Sequence, residues 1–423
     1  MKLTITSLAA REILDCRGNP TLQVDVFVNN DIVGRADVPA GLSTGVHEAK
    51  EIRDEGKRYH GLGVKTVIKH VEKTLLPALK GMPATAQRKL DAAMIALDGT
   101  PDKSKLGANA ILGVSLAAAR AAAKALGLPL YQYINLNAHV LPVPLLNLIN
   151  GGKHASNDLE FQEFCIFPVG AETFSQSMEI GSAVTRELRE IIVSKYGKLA
   201  VNVGDEGGFA PPITSVREAL DCLVMAVEKS GYTRQIVYGL DCAATHIYDQ
   251  ETGKYRLQGN LLTTADMIGF YKELLRSYPI ATIEDPLSED DVEGFVSITK
   301  ELDTQIVGDD FFCTNPDRIK KYSVLGAGNG LLWKVNQIGT LTEALDAAQL
   351  AFRNSYGVMV SERSGETEDP IIADLVVGLN AGQIKTGAIT RSERVAKYNR
   401  LLQIEEELGD NAVYAGQNFK LPF

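Results

Sequence analysis

The chain has 423 residues and a formal net charge of −10, long enough for two packed units and too acidic for a nucleic-acid surface, which requires clustered Lys and Arg. Five cysteines (Cys16, Cys165, Cys222, Cys242, Cys313) are odd in number and lack CxxC spacing, so they indicate neither a disulfide framework nor a thiolate metal site and fit a reducing cytoplasm. Arg11, Glu12 and Asp15 precede any apolar run, so no secretory leader is expected, and SLAAARAAAKALG carries Arg120 and Lys124, which argues against a membrane span.

At the N-terminus TLQVDVFV alternates in polarity, and the turn residues Asn29, Asn30 and Asp31 separate it from IVGRADV, which predicts a strand meander. Helix-period stretches follow at VKTVIKHVEKTLLPALKG, TAQRKLDAAMIAL and NAILGVSLAAARAAAKAL, so residues 1–135 read as an α+β cap domain. From VLPVPLLNLINGG onward, over residues 136–423, apolar runs alternate with helical stretches such as SVREALDCLVMAVEKSG and ADMIGFYKELLRSY, the pattern of βα units and of a parallel α/β barrel. Candidate strands lie at 141–150, 163–168, 199–204, 236–241, 280–284, 304–309, 330–336, 356–361 and 383–386, one more than an eight-stranded barrel holds.

Carboxylates and one lysine end these runs: Glu206 in VNVGDEGG, Asp241 in VYGLDCAA, Glu284 in IATIEDP, Asp309 in QIVGDD and Lys334 in GLLWKVNQ. The steps of 43, 25 and 25 residues from Asp241 to Lys334 fit a strand plus its return helix, and a parallel barrel gathers the C-terminal ends of its strands on one catalytic face. Acids crowded there need cations, and oxygen ligands without a Cys or His partner favour Mg²⁺ over zinc or copper. Each of Asp241, Glu284 and Asp309 alone reads better as a helix N-cap; three acids at matching strand ends favour a shared metal. Lys334, inside an apolar run, is either a base whose proton affinity the site tunes or a lysine reaching to water.

Other segments are more ambiguous. AGLSTGVHE, with Ser43 and Thr44 between Gly41 and Gly45, suits a loop closing on an anion, although a plain turn fits as well. In SERSGETED, Arg363 and Ser364 could hold a phosphate with help from Lys385 of QIKTGA, or form a surface ion-pair cluster with Glu362, Glu366 and Glu368. His154 follows the turn Gly151-Gly152-Lys153, where a structural histidine is the plainer reading, and Gln162 and Glu163 open the next run. No GxGxxG follows a strand and no GxxxxGK[ST] occurs, which excludes the dinucleotide and P-loop readings.

Together, AREILDCRGNPTLQVDV, LSTGVHEAKEIRD, GANAILGVSLA, LLNLINGGKHASN, QEFCIFP, NVGDEGGFAP, GLDCAA, IEDP, LWKVNQIGTLTEA, RSGETED, QIKTGA and RSERVAKYNRLLQIEEELG resemble the enolase family over essentially the whole chain. The resemblance implies a TIM-like, enolase-type barrel behind the cap, and a Mg²⁺-dependent lyase dehydrating 2-phosphoglycerate to phosphoenolpyruvate. It implies two Mg²⁺ per site, the first on Asp241, Glu284 and Asp309, the second with Ser43 and substrate phosphate. It makes Lys334 the base that removes the α-proton and Glu206, beside Glu163, the acid that protonates the departing hydroxide. His154, Gln162, Arg363, Ser364 and Lys385 would hold substrate, in a cytoplasmic homodimer or octamer.

The chain departs from the family at three places. The family's Ser-His-Arg-Ser is here Ser361-Glu362-Arg363-Ser364; Ala40 and Leu42 replace a Ser and an Ala of its closing loop; Thr245 and His246 stand where a Ser-Glu pair is usual. An ionised Glu362 about 4 Å from another negative charge would cost about 4 kcal/mol at an effective dielectric near 20 unless Arg363 or Lys385 compensates. Glu362 is therefore read as a neutral or averted group in an ordinary enolase, as an adaptation to another phosphorylated or phosphonylated acid (as in the carboxyphosphonoenolpyruvate synthases), or as the mark of a non-catalytic homologue.

Overall fold

The computed structural model describes residues 3–41, 45–421 and 423. Three strands, β1 (Ile5–Leu14), β2 (Pro20–Val28) and β3 (Ile32–Asp37), form the expected antiparallel meander in that order. Asn29 and Asn30 both take positive φ in the β2–β3 turn, a conformation asparagine tolerates better than most residues. The alanine-rich helix Ala108–Ala125 is buried along most of its length and lies on this sheet. Gly34 makes that approach possible, because a Cβ there would collide with the helix backbone at Ala117 and Ala121.

Eight strands close the barrel: β4 (Val143–Asn150), β5 (Glu163–Phe167), β6 (Val237–Asp241), β7 (Ile280–Glu284), β8 (Gln305–Gly308), β9 (Gly330–Trp333), β10 (Gly357–Ser361) and β11 (Gly382–Lys385), each hydrogen-bonded to the next and β11 to β4. The expected parallel barrel needs one correction, since β5 runs antiparallel to both β4 and β6. The reversal brings the first residue of β5 to the face where the other strands end. Glu163 pairs with Asp241, and Asp241 with Glu284, so three acids stand at one level on neighbouring strands.

The surplus candidate strand is 199–204, which is not a strand. Lys198–Val201 forms a short helical turn after the long helix Phe174–Tyr196, and Val203 and Phe209 then make an isolated bridge. Gly204, Gly207 and Gly208 break the run, and at Gly204 a Cβ would meet the His154 carbonyl and the Asn150 side chain. Glu206 is thus delivered by a tight loop pressed on the end of β4.

Polar contacts join the N-terminal part to the barrel. Asp369 accepts Arg120 at 2.6 and 2.7 Å and the Asp37 amide at 3.0 Å, and buried Asp91 accepts the amide and hydroxyl of Thr342 at 3.0 and 2.5 Å. The final long helix, Ser392–Leu408, turns Arg394, Lys397, Tyr398, Leu401 and Ile404 inward.

The Gly34 contact yields a prediction. Gly34→Val should destabilise the protein by about 3 kcal/mol, seen as a lower thermal midpoint with the metal site intact, because the sheet and helix backbones must separate. An unchanged midpoint would contradict this account of the packing.

Candidate active site

The row Glu163, Asp241 and Glu284 is buried, and carboxylates so placed repel one another unless cations intervene. Lys385, from the end of β11 across the mouth, supplies one: its Nζ lies 2.8 Å from Asp241 Oδ2, 2.6 Å from Glu284 Oε2 and 3.4 Å from Glu163 Oε1. Burial alone would favour the neutral amine, but these acids and Glu206 hold the Lys385 ammonium well above the ordinary lysine range. Glu284 is driven the other way, well above the usual carboxylate range, by burial first and by Asp241 next.

Lys334 follows β9 and caps the short helix Val335–Ile338. Its Nζ donates to Asp309 Oδ2 at 2.6 Å, while Gln337 Nε2 donates to Oδ1 at 2.8 Å. Burial opposes both charges, yet each partner stabilises the other: Asp309 stays below the ordinary carboxylate range and Lys334 above the ordinary lysine range. Lys334 does not reach out to solvent. The Asp309 and Asp310 amides donate to Asp285 at 2.9 and 3.0 Å, which fixes the turn carrying Asp309.

Among the described residues, two groups bring possible ligand atoms all within 4.8 Å of one another: His154, Glu163 and Glu206, and Asp285, Asp309 and Asp310. The expected trio Asp241, Glu284 and Asp309 is not one of them. Lys385 stands between the first two and Lys334 holds the third. The donor set still fits Mg²⁺: all the expected ligands are carboxylate oxygens, and Glu284 Oε1 is buried without a hydrogen-bond partner. Ser43, expected at a second ion, lies outside the described residues, as do Leu42 and Thr44.

On the opposite side His154 Nδ1 lies 3.4 Å from Glu163 Oε1 and 3.7 Å from Glu206 Oε1, and Asn147 donates to Glu206 Oε2 at 3.3 Å. Burial and then Glu206 push Glu163 well above the carboxylate range. Burial would raise Glu206 as well, but His154, a hydrogen bond from Glu163, Arg394 and Lys385 outweigh it and keep Glu206 ionised. The two carboxyls are thus displaced in opposite directions, Glu163 upward and Glu206 downward. Gln162 Nε2 donates to Asp241 Oδ2 at 3.4 Å, which places Gln162 in the same pocket.

Arg363, Ser364 and Glu366 are buried rather than a surface cluster. Arg363 donates to both Glu48 oxygens, at 2.9 and 3.1 Å, and to Asn336 at 2.9 Å. Ser364 Oγ accepts from Arg17 at 3.4 Å. Glu362 faces neither Arg363 nor the Lys385 ammonium, the two cations expected to balance it. Its Oε2 lies 2.5 Å from Arg394 Nη1 and accepts Thr386 Oγ1 at 3.1 Å. Burial still pushes the Glu362 carboxyl up to about 8 despite Arg394 beside it.

The structure therefore brings the expected residues Lys334, Glu206, Glu163, His154, Gln162, Lys385, Asp241, Glu284 and Asp309 to one mouth, with Arg363, Ser364 and Glu362 at its edge. The sequence reading missed Glu48 and Arg394. Glu48 leaves no local signal, whereas Arg394 does: it shares the inward stripe of Ser392–Leu408 with Leu401 and Ile404, where an unpaired cation is costly.

Removing the central ammonium tests the charge balance. Lys385→Met should destabilise metal-chelated protein by roughly 3–5 kcal/mol near neutral pH, with a smaller loss at pH 5. Glu163 and Glu284 bind protons more tightly folded than unfolded, so their contribution is lost as pH rises, and losing Lys385 enlarges that effect. Melting curves across this range check it; a pH-independent gap would contradict it.

Residues 5–134 match the family described as "Enolase, N-terminal domain" and residues 138–422 that described as "Enolase, C-terminal TIM barrel domain". Proteins named enolase are similar over nearly their whole length. The one from Thermococcus gammatolerans is 58% identical over 424 residues, covering 99% of this chain and 98% of its own. The one from Pyrococcus furiosus is 57% identical with the same coverage, and that from Methanocaldococcus jannaschii is 56% identical over 423 residues, covering 100% of this chain and 99% of its own. With both halves matched and the charged mouth in place, the chain belongs to the enolase family.

Proposed function

We propose that this protein is a Mg²⁺-dependent carbon–oxygen lyase that dehydrates 2-phospho-D-glycerate to phosphoenolpyruvate. The observation that carries the reading is the opposition, across one mouth, of a lysine on a carboxylate (Lys334 with Asp309) and a pair of buried carboxyls gathered at His154 (Glu163 and Glu206). Removal of a proton beside a carboxylate and departure of hydroxide require a base on one side of the substrate and an acid on the other.

Asp241, Glu284 and Asp309 would hold one Mg²⁺, and a second ion with Ser43 belongs to the same proposal. When bound, Mg²⁺ supplies the concentrated positive charge that makes the enediolate of a carboxylate accessible, a use of metal with a lysine base for which the enolase superfamily is itself a standard example. Lys334 Nζ accepts the α-proton. It must first be neutral, and its hold on the proton weakens once the Asp309 charge is engaged elsewhere. Glu163 stores the proton that Glu206 passes to the leaving hydroxyl, while His154, near both, orients the pair. Lys385, Gln162, Arg363 and Ser364 face the substrate's anionic groups. Glu362 needs no other substrate to explain it, because its carboxyl is turned onto Arg394 and Thr386 inside the protein.

The reading includes a division into a cap over 1–135 and a barrel over 136–423, assembly as a homodimer or octamer, and a place in the cytoplasm. Among the described residues no helix is long and apolar enough to cross a membrane.

Lys334→Ala should reduce exchange of the substrate α-proton with deuterium oxide by at least about a hundredfold, while the Mg²⁺-induced rise in melting temperature persists. Exchange at the parent rate would remove Lys334 as the base.

A further inference from the structure

Arg394 is a fully buried cation with no role in the reaction as described. Its guanidinium is 0% exposed and meets three separate segments, 362–364, Asp205 and Cys16. Nη1 donates to the Arg363 carbonyl at 2.8 Å and pairs with Glu362 at 2.5 Å. Nη2 donates to the carbonyls of Ser364 at 2.9 Å and Asp205 at 3.2 Å, and lies 3.7 Å from Cys16 Sγ. Asp205 immediately precedes Glu206, whose loop has no strand to hold it. Glu362 extends the same contact: its Oε1 is buried, has no hydrogen-bond partner, and faces Gly387, where a Cβ would lie 2.8 Å from Oε1 and 2.7 Å from the Glu206 carbonyl. Gly387 has φ +77°, and its neighbour Ala388 donates to the Glu206 carbonyl at 2.9 Å.

We propose that Arg394, with Glu362 as its buried partner, is a positioning residue that fixes the Glu206 loop against the ends of β10 and β11 and so sets Glu206 for the leaving-group side of the reaction. This deepens the proposed function and rests on it. Neither residue is placed on the α-proton side, where Lys334 and Asp309 stand, so the pair acts on elimination and not on proton abstraction. Lys397 provides an internal comparison. It lies on the same helix, is equally buried, and binds Glu366 at 2.8 Å, the Thr367 carbonyl at 2.6 Å and the Glu393 carbonyl at 2.7 Å, all away from the Glu206 loop. A single ammonium at position 394 could not reach the Arg363, Ser364 and Asp205 carbonyls and Glu362 together, whereas the guanidinium fork does.

The test compares two rates in the full-length, Mg²⁺-loaded protein: α-proton exchange of 2-phosphoglycerate and formation of phosphoenolpyruvate. Arg394→Lys should lower product formation at least tenfold while exchange changes by less than about threefold. Lys397→Met, whatever its effect on stability, should leave the ratio of the two rates at the parent value. If Arg394→Lys does not fold, Glu362→Gln serves in its place. Arg394, Glu206, Glu366 and Tyr398 are the charged or titratable groups facing that carboxyl. At about pH 9, where the native carboxyl is charged, Glu362→Gln should lower the ratio of product formation to exchange about threefold or more, and the difference should close near pH 6.5. Equal losses of both rates, or an unchanged ratio in the Arg394 or Glu362 variant, would overturn the proposal. Absence of both activities in the parent protein would instead defeat the proposed function, and this inference with it.

Discussion

Buried carboxylates at the mouth of the barrel repel one another, and the ammonium groups of Lys385 and Lys334 are what allow them to share that space. Lys385 joins Asp241, Glu284 and Glu163 into one cluster, and Lys334 holds Asp309 in a second. Neither lysine could remain charged in such burial without those acids. The same balance makes the site suited to divalent cations, because oxygen donors are already gathered there.

A second tier of buried ion pairs lies behind the first. Arg363 is gripped by Glu48, Arg394 by Glu362 and Lys397 by Glu366, so the β10 loop that carries Arg363 and Ser364 is tied to the N-terminal segment on one side and to the last long helix on the other. Positions that an isolated reading treats as odd acquire a reason here. A glutamate at 362, next to Arg363, is met inside the protein by Arg394 rather than by Arg363 or Lys385.

Much of the mouth was legible in the sequence because apolar runs ending in Asp241, Glu284, Asp309 and Lys334 follow the strand-plus-helix spacing. Local patterns could not reveal that β5 runs backwards, which depends on pairing across the closed sheet; that reversal is why Glu163, at the start of its strand, joins residues at the ends of theirs. The run 199–204 looked like a strand because Leu199, Val201 and Val203 alternate along it, but the glycines from Gly204 onward and the close approach of the Asn150 side chain turn it into the loop that carries Glu206. Glu48 was invisible because its partner Arg363 is far away in sequence. Arg394 was visible in principle, as a cation on the apolar stripe of a helix, and the opposite displacement of the Glu163 and Glu206 carboxyls depends on a pocket of charges that only the assembled structure defines.

The most direct test of the account is the absorbance rise from phosphoenolpyruvate when purified protein meets 2-phosphoglycerate with Mg²⁺, beside a control in which the metal is chelated. The account predicts turnover in the ordinary enzymatic range, about 1–10³ s⁻¹, that disappears on chelation and returns with added Mg²⁺. Folded, Mg²⁺-binding protein that forms no phosphoenolpyruvate would contradict it.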